Sequence, residues 1–345
     1  MAVYTTIDNP GLFFNTVLYT GNGSTQSITG VGFQPDWVWL KARNHAYSHQ
    51  LFDVVRGATK LLSCEETSAE QTLSGVTSFD SDGFAVGSDA GSNASSKTFA
   101  SWNWLTGSSA SSNSDGSTSS TVSVNQTAGF SIVSYTGTGS ATTVGHGLGA
   151  IPQIVITKNR STTGQWAMYN RNLGANKNLH LEVTDAAASS SAVFNDTEST
   201  SSVFSVGNAS MTNNNGSNFI AYCFAEKQGY SKFGSYTGNG SSDGVFVYTG
   251  FRPALVIIKR TDNSSGGNWL LLDSVRDDIN AVGKNLYANV NDAETSTDRC
   301  DFVSNGFKLR QSGTTVNTSS GTYIYMAFAE APFVTAGTKA AGTAR

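Results

Sequence analysis

Charge is scarce in this sequence. Only 13% of its 345 residues are Asp, Glu, Lys or Arg, against about 25% in ordinary globular chains. Basic residues number 21 and acidic ones 25, for a net charge of −4 and a pI near 5.6. The chain therefore lacks the basic face that neutralising phosphates requires, and nucleic acid is not an expected partner. No apolar run reaches the ~18 residues of a membrane helix, so no membrane span is expected. The opening residues, Met1 to Asp8, show no basic segment followed by an apolar one, so a secretory leader is not expected and synthesis in a cytoplasm is. Cysteines are three, an odd number: Cys64, Cys223 and Cys300. They suit neither a disulfide framework nor a zinc site and are read as reduced filler thiols.

What the chain does have is glycine, 36 residues of it, and aromatics at 11%. Disordered chains are poor in aromatics and rich in charge, so this one is expected to fold. Of only five prolines, three begin the same kind of stretch. Pro35-Asp36-Trp37-Val38-Trp39-Leu40-Lys41-Ala42-Arg43 returns as Pro152-Gln153-Ile154-Val155-Ile156-Thr157-Lys158-Asn159-Arg160 and as Pro253-Ala254-Leu255-Val256-Ile257-Ile258-Lys259-Arg260. Upstream of each stands a Tyr-Thr-Gly-x-Gly-Ser signal, beginning at Tyr19, Tyr135 and Tyr236. Tyr to Pro spans 16 residues in the first copy and 17 in the others, a constancy that composition alone does not produce.

Further along each copy come a Gly-Phe or Val-Phe turn-and-strand signal at Phe84, Phe204 and Phe307, and a closing strand whose last large aromatic is Trp104, Phe224 or Phe328. Alternation in that strand, as in Phe99-Ala100-Ser101-Trp102-Asn103-Trp104, marks a half-buried β-strand. No stretch longer than a turn or two has helical periodicity. The expected fold is all-β: three tandem antiparallel β-sandwich, jelly-roll-like repeats, about 101 residues apart from the second Tyr signal to the third. The expected bounds are an N-terminal arm over 1–16, repeats over 17–108, 129–229 and 230–335, a Ser/Gly/Thr-rich linker over 109–128 and a C-terminal tail over 336–345. The arm is read as a cap on the first repeat or as an anchor on a neighbouring subunit. Repeats two and three are expected to pack closely, with the first held on the longer linker. Units this long can each bury a core, which argues for separate domains rather than a solenoid. Each proline is expected at the first residue of a strand or at an edge, where its missing N–H is tolerated, and each Lys-Arg end where the strand leaves the core.

Candidates for chemistry are few. Asp80-Ser81-Asp82-Gly83 resembles the start of a calcium loop but has no Glu at the required spacing, so Asp80 and Asp82 are weak calcium candidates beside the plainer reading of a turn. His45 and His49 are four apart without the Glu of a metalloprotease pair and read as a contact loop. Asp53 with Arg56, repeated as Asp273 with Arg276 while the second repeat has Asn170, reads as a local ion pair fixing a turn. No catalytic motif appears and no cofactor is expected. The repeat-defining residues Tyr19, Pro35, Trp37, Phe84, Trp104, Tyr135, Pro152, Phe204, Phe224, Tyr236, Pro253, Phe307 and Phe328 are read as scaffold.

Four segments together carry a resemblance: Tyr19-Thr20-Gly21-Asn22-Gly23-Ser24, Gly32-Phe33-Gln34-Pro35-Asp36-Trp37-Val38-Trp39-Leu40-Lys41, Ser78-Phe79-Asp80-Ser81-Asp82-Gly83-Phe84 and the ending Tyr323-Ile324-Tyr325-Met326-Ala327-Phe328-Ala329-Glu330-Ala331-Pro332-Phe333. Over residues 1 to 335 the chain resembles a family of structural proteins of tailed bacteriophages of marine bacteria and cyanobacteria, often labelled tail fibre or uncharacterised virion protein. The resemblance implies a virion component with no enzyme activity, made in the host cytoplasm. It implies other virion proteins as partners, a homo-oligomer with a trimer favoured, and contact with host surface glycans. A tail-fibre or receptor-binding role comes first, a capsid decoration role second and a polysaccharide-degrading tailspike last.

Overall fold

The computed structural model describes residues 5, 7–265, 267–334 and 343. Nearly all regular structure is β. The first unit holds β1 (Phe14–Thr20), β2 (Gln26–Thr29), β3 (Trp37–Ala42), β4 (Gln50–Asp53), β5 (Lys60–Leu61), β6 (Gln71–Thr72), β7 (Val76–Asp80), β8 (Gly83–Val86) and β9 (Thr98–Trp104). The second holds β10 (Ser111–Asn113), β11 (Ser120–Asn125), β12 (Phe130–Thr136), β13 (Thr142–Gly145), β14 (Ile154–Asn159), β15 (Ala167–Asn170), β16 (Lys177–His180), β17 (Ala188–Ser189), β18 (Val203–Val206) and β19 (Asn218–Phe224). The third holds β20 (Ser231–Thr237), β21 (Phe246–Tyr248), β22 (Phe251–Arg260), β23 (Leu270–Asp273), β24 (Val282–Tyr287), β25 (Thr295–Val303), β26 (Gly306–Leu309) and β27 (Thr322–Pro332).

One four-strand order occurs in each unit: β1-β9-β3-β4, β12-β19-β14-β15 and β20-β27-β22-β23, all antiparallel. A smaller layer lies against it: β2-β8-β7 in the first unit, β13-β18 in the second and β21-β26-β25 in the third. Registers agree as well, since Trp37 faces Trp104, Ile154 faces Phe224 and Leu255 faces Phe328. Each unit is thus a two-layered antiparallel sandwich.

The middle strands are buried on both faces, and the two faces serve different cores. Val38 and Leu40 pack with Phe84 inside the first sandwich, Val155 with Phe204 inside the second, and Val256 and Ile258 with Phe307 inside the third. The alternate residues Trp37, Trp39, Ile154, Ile156, Leu255 and Ile257 point the other way, into one core common to all three units. All six tryptophans of the chain lie in that common core. Unit 1 supplies four of them. Trp37 stacks on Tyr222 of unit 2 with centroids 4.4 Å apart, and Phe328 of unit 3 meets Trp104 at 5.5 Å and Phe224 at 5.8 Å. Three sheets therefore surround an apolar axis, and the void on it between Trp37, Trp104, Trp269 and Phe328, of about 10 Å³, is too small for more than one water.

This arrangement corrects the expectation of separate tandem domains. The first unit does not hang on a linker; it contributes the largest side chains to the shared core. The Ser/Gly/Thr-rich tract over 109–128 holds β10 and β11, which extend the second unit's sheet beyond β12. Its entry is fixed by Asp36, whose carboxylate accepts from the Thr106 N–H at 2.8 Å, the Thr106 hydroxyl at 2.9 Å and the Gly107 N–H at 2.5 Å. Ser, Thr and alternating Val suffice for a strand once an edge is available to pair with, which composition could not reveal. The arm over 1–16 is also divided: β1 starts inside it at Phe14, Ile7 enters the common core, and the Thr5 hydroxyl donates to the Gln228 carbonyl at 2.7 Å. Of the tail over 336–345 only Thr343 is among the described residues.

The Tyr-Thr-Gly-x-Gly-Ser signal has a physical account. Each tyrosine hydroxyl donates to the carbonyl of a helical or turn residue across the unit: Tyr19 to Ser92 at 2.6 Å, Tyr135 to Thr212 at 2.6 Å and Tyr236 to Val316 at 2.7 Å. The next residue in each turn, Asn93, Asn213 or Asn317, receives the backbone N–H of the variable position at 3.0, 2.7 and 2.9 Å. The first glycine passes so close to that turn that a Cβ on Gly21, Gly137 or Gly238 would lie 2.2–2.3 Å from a carbonyl oxygen. The proline expectation holds less uniformly. Pro35 and Pro152 lie two residues before their strands, whereas Pro253 sits inside β22 at a β-bulge against β27, one of the places in a sheet where a missing N–H is tolerated.

A shared core predicts shared unfolding. Trp37→Ala removes a side chain that touches two units and is expected to cost ~3–5 kcal/mol. Urea unfolding followed by tryptophan fluorescence and by far-ultraviolet circular dichroism should give one coincident transition, shifted as a whole in the variant; a fluorescence transition separated from the dichroism one would contradict it.

Candidate functional site

Buried charged side chains reach from one unit to the next, and those contacts run in one rotational sense. Lys41, Lys158 and Lys259 occupy the same position in the three middle strands, and their side chains are buried rather than leaving the core. Each ammonium donates to the carbonyl of its own next residue, at 2.9 Å for Ala42, 3.0 Å for Asn159 and 2.6 Å for Arg260. Each also reaches a loop of another unit: Lys41 to Asn291 at 3.1 Å, Lys158 to Thr67 at 3.1 Å, and Lys259 to Thr184 and Asp185 at 3.0 and 2.8 Å. Unit 3 thus holds unit 1, unit 1 holds unit 2 and unit 2 holds unit 3. Burial pulls each ammonium from the usual 10.5 to about 8.

A second ring uses the residue before β4, β15 and β23. The Trp166 indole N–H donates to Ser63 at 2.9 Å and that of Trp269 to His180 at 3.0 Å. The first unit has His49 there. Its Nδ1 accepts from the Trp39 indole at 2.9 Å, which places the proton on Nε2, 3.0 Å from the Tyr287 carbonyl. Burial holds this imidazole well below the usual 6.5. His45 points elsewhere, its ring stacked on Tyr47 at 4.1 Å. The structure therefore does not bring the two histidines together.

Asp53 and Arg56, and likewise Asp273 and Arg276, form ion pairs with no side-chain exposure. They fix their turns, as expected, with Asp53 accepting from the N–H of Val55 at 3.0 Å and of Arg56 at 2.8 Å. They also cross the junctions. The Tyr222 hydroxyl donates to Asp53 at 2.8 Å, and the Trp102 indole donates to Asp273 at 3.0 Å. Glu70 is shared between Arg56 of its own unit at 3.4 Å and Arg160 of the second at 2.8 and 3.0 Å. Glu294 is likewise shared between Arg276 at 3.1 Å and Arg43 of the first at 3.0 and 2.9 Å. At the third junction Asn170 replaces the aspartate and Met326 stands where Tyr222 and Trp102 stand elsewhere. A thioether could not serve a buried carboxylate as those donors do. Arg260 there pairs within its own unit, with Asp262 at 2.7 Å.

The remaining sequence candidates fall in separate places. Asp82 clasps a turn, accepting from the N–H of Gly32 at 2.7 Å and of Gly30 at 3.2 Å, while Asp80 ends β7 opposite Gly83. Among the described residues no group of three or more His, Cys, Asp or Glu could hold a metal ion. His146 accepts from the Leu148 N–H at 3.1 Å, and His180 lies beside Gln165 and Asn178. Cys64, Cys223 and Cys300 are free and buried, and burial pushes their thiols up. A groove of about 530 Å³ along Gln34, Asp36, Val54, Leu105 and Gly107 to Ala110 is open and lined mainly by small or polar residues. Sequence reasoning missed the three lysines and the two bridging glutamates. The lysines had a legible signal, since each keeps the parity of Trp39, Ile156 or Ile257 two residues earlier. The glutamates had none, because their loops are not alike between repeats.

The polar groups at the junctions hold one another, and the chemistry of the arrangement is cohesion. Two consequences are measurable. Asp273→Ala leaves the buried Arg276 guanidinium with Glu294 as its remaining carboxylate and strips the Trp102 indole of its acceptor, and is expected to cost ~3–5 kcal/mol in urea unfolding. The lysines release protons near pH 8 when folded and near 10.5 when unfolded, so between those values the unfolded chain binds more protons and stability rises with pH. The cysteines act oppositely above 9, where only the unfolded chain loses thiol protons. Burial also pushes the hydroxyls of Tyr19, Tyr135, Tyr222, Tyr230 and Tyr236 above their usual 10, so from there on the unfolded chain loses further protons. The urea midpoint should therefore climb from pH 8 to 9, level off up to 10 and fall beyond; a midpoint that falls between pH 8 and 9 would refute the lysine assignment.

No curated protein and no solved structure matches the chain. A domain of unknown function, DUF7483, matches residues 9–332, from just before β1 to the last residue of β27, and the chain belongs to that family.

Proposed function

We propose that the protein is a non-enzymatic structural component of a bacteriophage virion, an appendage of the tail-fibre or receptor-binding kind whose polar loops meet the host surface. The observation that carries this reading is the closure of three sandwiches on one aromatic core within a single chain. Such a body has the threefold character of a phage appendage without needing three chains, and its polar interactions are spent on cohesion. The surface left outside is low in charge and rich in Ser, Thr and Asn loops, which suits exposure to solvent and to carbohydrate. Capsid decoration is the second reading. It is favoured by the side-by-side packing of the units, which makes a compact block rather than a shaft.

Quantitative proteomics and immunogold labelling of particles from a phage carrying this sequence test both. The protein is expected on the particle, in few copies at the tail. A copy number equal to that of the capsomers would replace the first reading by the second, and absence from the particle would end both. Purified protein is expected to release no oligosaccharide from host polysaccharide.

A further inference from the structure

The second unit closes a side that the third leaves open. Its β12 edge is covered by β11, with Thr121 opposite Ser134 and Ser123 opposite Ile132. The same segment crosses to the smaller layer: Thr118 bridges Val144 of β13 in parallel, its N–H donates to the Thr143 carbonyl at 2.9 Å, and the Ser120 hydroxyl donates to Gly145 at 2.8 Å. In the third unit the corresponding strands β20 and β21 are, among the described residues, the two ends of their sheet. Ser235, the counterpart of Ser134, is exposed. On β21 the outward residues Phe246 and Tyr248 are 45% and 53% exposed, where the first unit has Ser27 and Thr29 at the same register.

The first unit closes this side with its own side chains. Asn15 donates to the Val31 carbonyl at 3.1 Å and accepts from the Thr16 N–H at 2.9 Å, and Gln26 donates to the Thr20 carbonyl at 3.2 Å. At those two positions the third unit has Lys232, which reaches Glu226 at 2.6 Å, and Val245, whose side chain cannot hydrogen-bond. An edge strand without such closure is a template for pairing, and here it is flanked by two large exposed rings.

We propose that the open side of the third unit is a strand-addition site for an extended segment of another polypeptide, of the Ser/Thr-rich, alternating-Val chemistry that 118–125 brings to the second unit. Main-chain hydrogen bonds to β20 supply the attachment, and Phe246 and Tyr248 select alternate side chains of the incoming strand. A second copy of the chain is not the occupant, because its own 118–125 stretch is engaged in its second unit.

The test uses a synthetic peptide of residues 117–126 titrated into isotope-labelled full-length protein, read by amide chemical shifts. Saturable shifts confined to 234–237 and 245–248 are expected. Ser235→Pro, an edge substitution that sheets tolerate, should abolish them with the rest of the spectrum unchanged, and Phe246→Ser should weaken binding about tenfold. A peptide carrying Val122→Pro should not bind. The proposal is overturned by the absence of saturable shifts, by shifts that survive Ser235→Pro, by self-association through 234–237 without peptide, or by oligosaccharides shifting Phe246 and Tyr248 where the peptide does not.

Discussion

The structure depends on middle strands that are apolar on both faces. In an ordinary sandwich one face of each sheet meets its partner and the other meets water. Here the outer face of each four-stranded sheet carries Trp37 and Trp39, Ile154 and Ile156, or Leu255 and Ile257, and no unit can leave that face wet. Three such sheets satisfy one another by closing around an axis. The long apolar run after each proline is therefore a statement about assembly as much as about a strand.

Closing the axis buries backbone carbonyls at the junctions, and the polar residues are placed to meet them. The lysines, the two indoles and His49 each supply a donor to a carbonyl of the neighbouring unit, as buried carbonyls require. The Asp–Arg pairs are present at two junctions where a tyrosine or tryptophan donor faces them and absent where Met326 does. This covariation within one chain has a direct electrostatic reason: a buried carboxylate needs every donor it can have.

Symmetry is broken where the units differ in what they leave outside. Unit 1 fills the axis with four tryptophans and closes its free side with Asn15 and Gln26. Unit 2 spends the tract before it on two extra strands. Unit 3 does neither and carries two exposed rings instead. A chain built on a repeated plan can thus keep one core and vary its surfaces independently, since the loops and edges carry none of the axial packing.

The all-β class, the threefold recurrence and the equivalence of Trp37, Ile154 and Leu255 were legible in the sequence, because strand alternation and turn chemistry are local and repeat with the chain. The tyrosine signal was legible as a motif, though its partners Ser92, Thr212 and Val316 lie more than seventy residues away. What only the tertiary structure decided was that the three units share a core, that Lys41, Lys158 and Lys259 turn inward, that Glu70 and Glu294 bridge two arginines each, and that 109–128 pairs as strands. Each of these depends on which surface a segment finally faces, and a periodicity of two says that a strand has two faces without saying what lies beyond either.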